Sequence, residues 1–383
     1  MSMPYGYHDL DAAAYARLPE DLLADLLAGT PQIAGEVNDL LGPALQQRDR
    51  LREAAEDLDL IATAPIAERG TLCAVDGGFA VERTIAVDIA MAVAVGVEGL
   101  APAGVGCQWT HNQYKSFHRV LLHDLDNERL VRAAMVAHEL KVLAAAPHNV
   151  RIYDGSHLTP IIQLNSGLTA RNKTVNNLVV TVANDVDLLK VFDDFATNPA
   201  CIAMPKYDST HALADELSHA IKLPIPGDDK YLTSVILRGG EYTVPRQISG
   251  DPWRQLHITP RPGSAAAESG LADDLDEKIE PLRTGKLLYL YWRPTDTSPT
   301  YRLEIKPGLA KDTHALGVVF ATLADQITGP FVREPYPQYL ADVMAKSVGL
   351  GLSALRAAAH LSLTHSNPEL APMLVHSYRT EGK

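Results

Sequence analysis

Leucines recur at helical spacing in "DLLADLLAG" and again in "EVNDLLGPALQQRDRLREAAEDL", which predicts helix from Asp9 to about Asp57 with a break at "GTPQ". The pattern then changes. From about Leu72 to Val97 β-branched and other apolar residues dominate, as in strands. After a loop containing "APAGVGCQWTHNQ", the segment "NERLVRAAMVAHELKVLAAAP" repeats apolar positions every three or four residues and predicts a buried helix. Next, "NVRIYDGS" reads as strand and turn, "NNLVVTVAN" as strand, "DVDLLKVFDDFA" as helix and "ACIAMPK" as strand, an alternating β/α order. "SGDPWRQLHITPRPGSAAAESGLADDLDEK", rich in Gly, Pro and charge, predicts inserted loops or a flap. "KLLYLYWRP" and "TYRLEIKP" predict two more strands, and a last long helix is expected from about Pro337 into the 350s.

Two of these strands rhyme. "TLCAVDGG" and "NVRIYDGS" each end an apolar run in an aspartate followed at once by glycine, so Asp76 and Asp154 are expected where buried strands enter tight turns. A buried carboxylate requires a raised pKa, a hydrogen-bonded partner or a cation. A third acid, Glu139, shares its helix face with Met135, Val136, Val142 and Leu143 and points inward. Pairing with Arg132 is the alternative use of Glu139. Three converging oxygen donors suit a hard cation, Mg²⁺ or Mn²⁺, and a two-metal phosphoryl-transfer site. "AHELK" lacks the second histidine of a zinc-protease helix. Lys206, at a strand end before a polar turn, is either a surface lysine or a group that meets a scissile phosphate. Glu304 is a further ligand or a strand-edge charge, and Asp88, alternating with Ala86 and Ala90, either faces the cluster or is structural. "GLGLSA" follows helix rather than strand and is no dinucleotide fingerprint, and Ser156 has no nucleophile elbow around it.

Composition narrows the choice. The 383 residues are 46% hydrophobic and 21% charged, a globular composition, and no stretch approaches a membrane span. No secretory signal is apparent at the N-terminus, and Cys73, Cys107 and Cys201 form no CxxC pair, so a reduced cytoplasmic setting is expected. The net charge of −13 argues against nucleic-acid binding over the whole surface. Local basic patches remain at Lys115 and Arg119, at Arg171 and Lys173, and at Arg246, Arg254 and Arg261.

The ordered set "VDGG" with Asp76, helix Glu139, "YDGS" with Asp154, "AMPKYDST" with Lys206, "YRLEI" with Glu304 and "REPYPQYLAD" resembles the NurA nucleases from about residue 70 to 350. That resemblance implies an α/β fold with an RNase H-like mixed sheet core, flanking helices, an N-terminal helical arm and loop insertions. It divides the chain into an arm at 1–65 for dimer or partner docking, a nuclease domain at 66–360 and a tail at 361–383. It implies metal ligands at Asp76, Glu139 and Asp154, catalytic roles for Tyr336 and Lys206, and Mn²⁺ or Mg²⁺, two ions, as cofactor. The implied activity is hydrolysis of DNA phosphodiester bonds by a homodimer working with a HerA-type hexameric ATPase, in DNA end processing or phage defence. One departure stands out: a histidine two helical turns after the tyrosine is replaced by Met344, which is expected to face the same cluster. His360 or His365 could substitute for it. A thioether neither binds hard cations usefully nor donates a proton. The alternative is therefore a catalytically weakened subunit that assembles with the ATPase and regulates it. A third reading is an unrelated enzyme of small phosphorylated substrates.

Overall fold

The computed structural model describes residues 19–110, 113–207, 209–248, 257–283, 287–327 and 334–375. Residues 249–256 of the expected flap, Arg254 among them, and the first part of the expected N-terminal helix lie outside the described residues.

Residues 19–58 and 209–236 form one compact unit. Its helices are Glu20–Ala28, Thr30–Gln46, Arg48–Asp57, Ala212–Ile221 and Asp229–Ile236. The "GTPQ" break is confined to Gly29, because Thr30 and Pro31 already begin the next helix. Leu51 and Ala55 are buried on one face of the third helix. On the same helix, Arg48, Arg50 and Arg52 donate to the carbonyls of Val235, Ile221 and Ile236 at 2.7, 2.8 and 2.8 Å. These carbonyls end the two later helices, where unsatisfied C=O groups favour cations. Leu22, Leu26, Leu27, Ile33, Val37 and Leu40 stay exposed.

The second unit, residues 59–207 and 237–375, is built on one mixed sheet. Its strands are β1 (Ile61–Thr63), β2 (Leu72–Arg83), β3 (Asp88–Glu98), β4 (Tyr114–Leu121), β5 (Val150–Asp154), β6 (Cys201–Met204), β7 (Glu241–Thr243), β8 (Arg246–Gln247), β9 (Leu288–Arg293) and β10 (Tyr301–Ile305). They run in the order β1-β7-β9-β10-β6-β5-β2-β3-β4, with β8 beside β9. An antiparallel meander, β2 to β4, continues into the parallel series β2, β5 and β6, in keeping with the RNase H-like mixed sheet that the resemblance implies. β10, β9, β7 and β1 extend it with antiparallel strands.

Alternation along the strands divides the core. Cys73, Val75, Tyr153, Cys201 and Ala203 pack with Leu140 and Leu143 of helix Asp126–Ala144 and with helices Leu158–Leu168, Lys173–Val186 and Leu188–Thr197. Leu72, Ala74, Ile152, Ile202 and Met204 join the opposite layer with Leu316, Val319 and Phe320 of helix Thr313–Gln326.

Several elements differ from expectation. "NNLVVTVAN" is helix, not strand: Asn172 caps it by accepting from Thr174 and Val175 N–H, and Val175, Val179, Val182, Ala183 and Val186 lie buried on one stripe. The supposed flap contains helices Ala265–Glu268 and Leu271–Arg283, the second burying Leu271, Leu275, Ile279 and Leu282 at helical spacing. Most of the basic patch "NQYKSFHR" is edge strand β4, with Lys115 and Arg119 exposed. The final helix is two, Tyr336–Lys346 and Val348–Ser366. Among the described residues, no helix is long and apolar enough to cross a membrane.

Candidate metal and catalytic centre

Asp76 continues the Leu72–Ala74 alternation of β2, and Asp154 continues that of β5 beyond Ile152, so both carboxylates emerge on the same sheet face. Parallel pairing sets Val75 beside Tyr153, which brings the two acids level. β6 lies next, with Met204 opposite Asp154, and two residues later Lys206 bonds Asp154 Oδ2 at 2.9 Å. Gly77 N–H donates to Asp76 Oδ1 at 2.8 Å.

The two glycines after Asp76 face opposite ways and admit a helix on each side. A Cβ on Gly77 would collide with Glu139 Oε1 and Met135 Cγ; one on Gly78 would collide with the Ala345 carbonyl oxygen. Glu139 is thus brought up against the strand at Gly77. It is 2% exposed, and its Oε2 accepts from Tyr153 Oη at 2.9 Å. Arg132 pairs with Glu128 instead, at 2.6 Å.

From the other face, helix Tyr336–Lys346 presents Gln338 and Asp342, one turn apart. Gln338 Nε2 donates to Asp154 Oδ1 at 2.9 Å and to the Met204 carbonyl at 3.2 Å. Oxygens of Asp76, Asp154 and Asp342 lie within 4.8 Å of one another. Lys206 also reaches Asp342 Oδ1 at 2.9 Å and Glu334 Oε2 at 3.3 Å.

The charges feel this crowding. Burial, then the charges of Asp154 and Glu139, push the Asp76 carboxyl up to about 9. Burial raises Glu139 to about 7, with Asp154 adding to the rise and the Tyr153 hydroxyl opposing it. For Lys206 burial favours the neutral amine, but Asp154, Asp342 and Glu334 outweigh it and hold the ammonium well above its ordinary range.

The structure therefore brings Asp76, Asp154 and Lys206 together on one face of the sheet, with Glu139 on the opposite side at Gly77, where its charge acts on Asp76 but its oxygens lie outside the group of three. Tyr336 opens the helix that carries Asp342 and is 36% exposed. Met344 is 52% exposed, turned away from the helix face that carries Gln338, Ala341 and Ala345, contrary to the expectation that it faces the cluster. Asp342, Gln338 and Glu334 were missed as individual residues, although all three stand in or beside "REPYPQYLAD".

Glu304 is neither ligand nor edge charge. Buried on β10, it accepts from Ser156 Oγ at 3.0 and 3.1 Å, from His157 N–H at 2.8 Å and from Arg302 at 3.2 Å, pinning the turn that follows Asp154. Behind it Lys306 Nζ lies 2.6 Å from His157 Nε2 and 2.6 Å from the Cys201 carbonyl. Asp88 sits elsewhere, bonded to Arg83, His123 and Asn127 at 3.1, 2.7 and 2.8 Å, and is structural.

No protein-family model and no curated protein matches the sequence. Solved structures do. The crystal structure of the NurA nuclease from Sulfolobus solfataricus superposes with a TM-score of 0.55 at 13% identity, over 91% of this chain and 98% of that one. A crystal structure of NurA with manganese gives 0.50 at 13% identity, over 89% and 98%. With a mixed sheet flanked by helices and a superposition that covers nearly its whole length, this chain has a NurA-like fold.

Proposed function

We propose that this chain is a divalent-metal-dependent deoxyribonuclease. The observation that carries this reading is the convergence of Asp76, Asp154 and Asp342 within 4.8 Å beside Lys206, from the interior of β2, the end of β5 and the helix Tyr336–Lys346. An all-carboxylate donor set suits a hard cation, Mn²⁺ or Mg²⁺, and rules against soft-metal chemistry. Asp76, pushed to about 9 by burial and acidic neighbours, is a carboxyl whose ionised form needs added positive charge. The NurA structure with manganese supports the same choice of metal.

Asp76 and Asp154 would hold the metal from β2 and β5, with Glu139 as third ligand. Bound there, two ions would supply a polarised water and charge neutralisation on the departing 3′ oxygen. Lys206 would meet a non-bridging phosphate oxygen as a fixed cation, and Tyr336, at the open margin, would position the phosphate. Gln338 would keep Asp154 oriented.

A chain of net charge −13 holds duplex DNA poorly alone, because phosphate neutralisation supplies most nonspecific affinity. Delivery of DNA by a HerA-type hexameric ATPase, a homodimer using the exposed leucines of the N-terminal helices, and a cytoplasmic role in end processing or phage defence complete the reading. The test is labelled linear DNA with Mn²⁺ or Mg²⁺, with and without the ATPase and ATP, alongside light scattering for the dimer. Metal-dependent cleavage supports the nuclease. A chain that binds the ATPase and changes its turnover without cutting is the weakened regulatory subunit, and turnover of small phosphoesters alone would overturn both.

A further inference from the structure

We propose that Asp342 is itself a ligand of the metal centre, supplied by the C-terminal helix where Met344 cannot serve. The inference rests on the metal-dependent reading above. Its ground is position: Asp342 is one of three carboxylates whose oxygens lie within 4.8 Å of one another, whereas Met344, two residues on, is 52% exposed. The helix is held against the sheet so that Asp342 must stay there. Ala341 and Ala345 are buried, and Gly78 leaves no side chain between β2 and the Ala345 carbonyl.

A second observation points to a ligand at the same place. Gln338 is 1% exposed, and its amide reaches Asp154 through Nε2. Its Oε1 is buried without a hydrogen-bond partner among the described residues. A buried carbonyl-type oxygen on the amide that holds Asp154, one helical turn from Asp342, is a donor of the kind that hard cations and their bound waters take. Positive charge is also already accommodated at Asp342, since Lys206 bonds Oδ1 at 2.9 Å and Lys346 bonds Oδ2 at 2.6 Å.

The competing account is that Asp342 serves only as counter-ion to Lys206. Mn²⁺ titration of the metal-free full chain, read by calorimetry and by the loss of free-Mn²⁺ paramagnetic resonance, separates the two. Asp342→Asn should weaken Mn²⁺ binding by about tenfold or more. Glu334→Gln removes a like charge that also contacts Lys206, yet should change it by less than about threefold. In a Lys206→Met background the Asp342→Asn loss should persist. Near-native melting of each variant checks the fold. If Asp342→Asn binds Mn²⁺ like the parent, matches Glu334→Gln, or adds nothing once Lys206 is gone, the ligand assignment is overturned while the metal site stands. If the parent chain binds no Mn²⁺, both fall.

Discussion

Gly78 and Ala345 meet without room for a side chain: a Cβ on the glycine would overlap the alanine's carbonyl oxygen. The contact joins β2, just past Asp76, to the helix that carries Gln338 and Asp342. Gly78→Ala must therefore push that helix outward, at an overpacking cost of about 1–3 kcal/mol. The melting temperature should fall, and Mn²⁺ affinity should fall with it. A variant that melts and binds Mn²⁺ like the parent would show that the helix does not sit on β2 as described.

Asp76→Asn, Glu139→Gln and Asp154→Asn should each reduce DNA cleavage by at least about a hundredfold, because electrostatic stabilisation is often the largest catalytic contribution. Metal-free stability should go the other way. Burial and two acidic neighbours push Asp76 to about 9, so at neutral pH the metal-free fold must keep this carboxyl protonated at a cost; a neutral isostere removes that cost, and melting without metal should hold or rise. Full activity in all three variants would remove the centre from these residues.

Glu304→Ala is expected to be costly for a different reason. It leaves the Ser156 hydroxyl, the His157 N–H and the Arg302 guanidinium without their shared acceptor in a site that is 1% exposed. Breaking a buried charged network by removing one partner costs about 3–5 kcal/mol. Denaturant melts measure it directly, and a loss below about 1 kcal/mol would contradict the pinning role.

Acid sensitivity should come from two buried histidines. Burial, helped by Lys115, lowers His138 to about 4, against the opposing pull of Asp185. Burial and Lys306 likewise lower His157 to about 4, with Glu304 opposing. An unfolded histidine protonates near 6.5, so each group's stabilisation is present above about 6.5 and lost as pH falls toward 4, on the order of 3 kcal/mol per group. His138→Phe should flatten the pH dependence of the melting temperature in that window. An unchanged slope would place the sensitivity elsewhere.

The faces of Asp76 and Asp154 were legible because strand periodicity is local, but the tight turn expected after Asp76 is absent: β2 runs on through Gly77 and Gly78 to Arg83, and only Asp154 ends its strand. Alternation in "LCAVDGG" assigns Asp76 to the Leu72–Ala74 face, and the same rule assigns Asp154, with no knowledge of the rest of the chain. The inward turn of Glu139 was legible too, from apolar neighbours three and four residues away. Where local signals conflict, they mislead: the β-branched run at 176–184 suits a strand by composition, but the Asn172 cap and the burial of Val175, Val179, Val182 and Val186 settle it as helix. Nothing local marks Asp342 or Gln338. Gln338 meets Asp154 across a separation of 184 residues, and the meeting depends on a glycine in β2 that lets the helix approach. The burial of Glu304 likewise follows from β10 pairing with β6. Periodicity along the chain determines which way a side chain faces. Which faces meet is decided by the packing of elements far apart in sequence, and that is where Asp342, the third carboxylate of the cluster, entered.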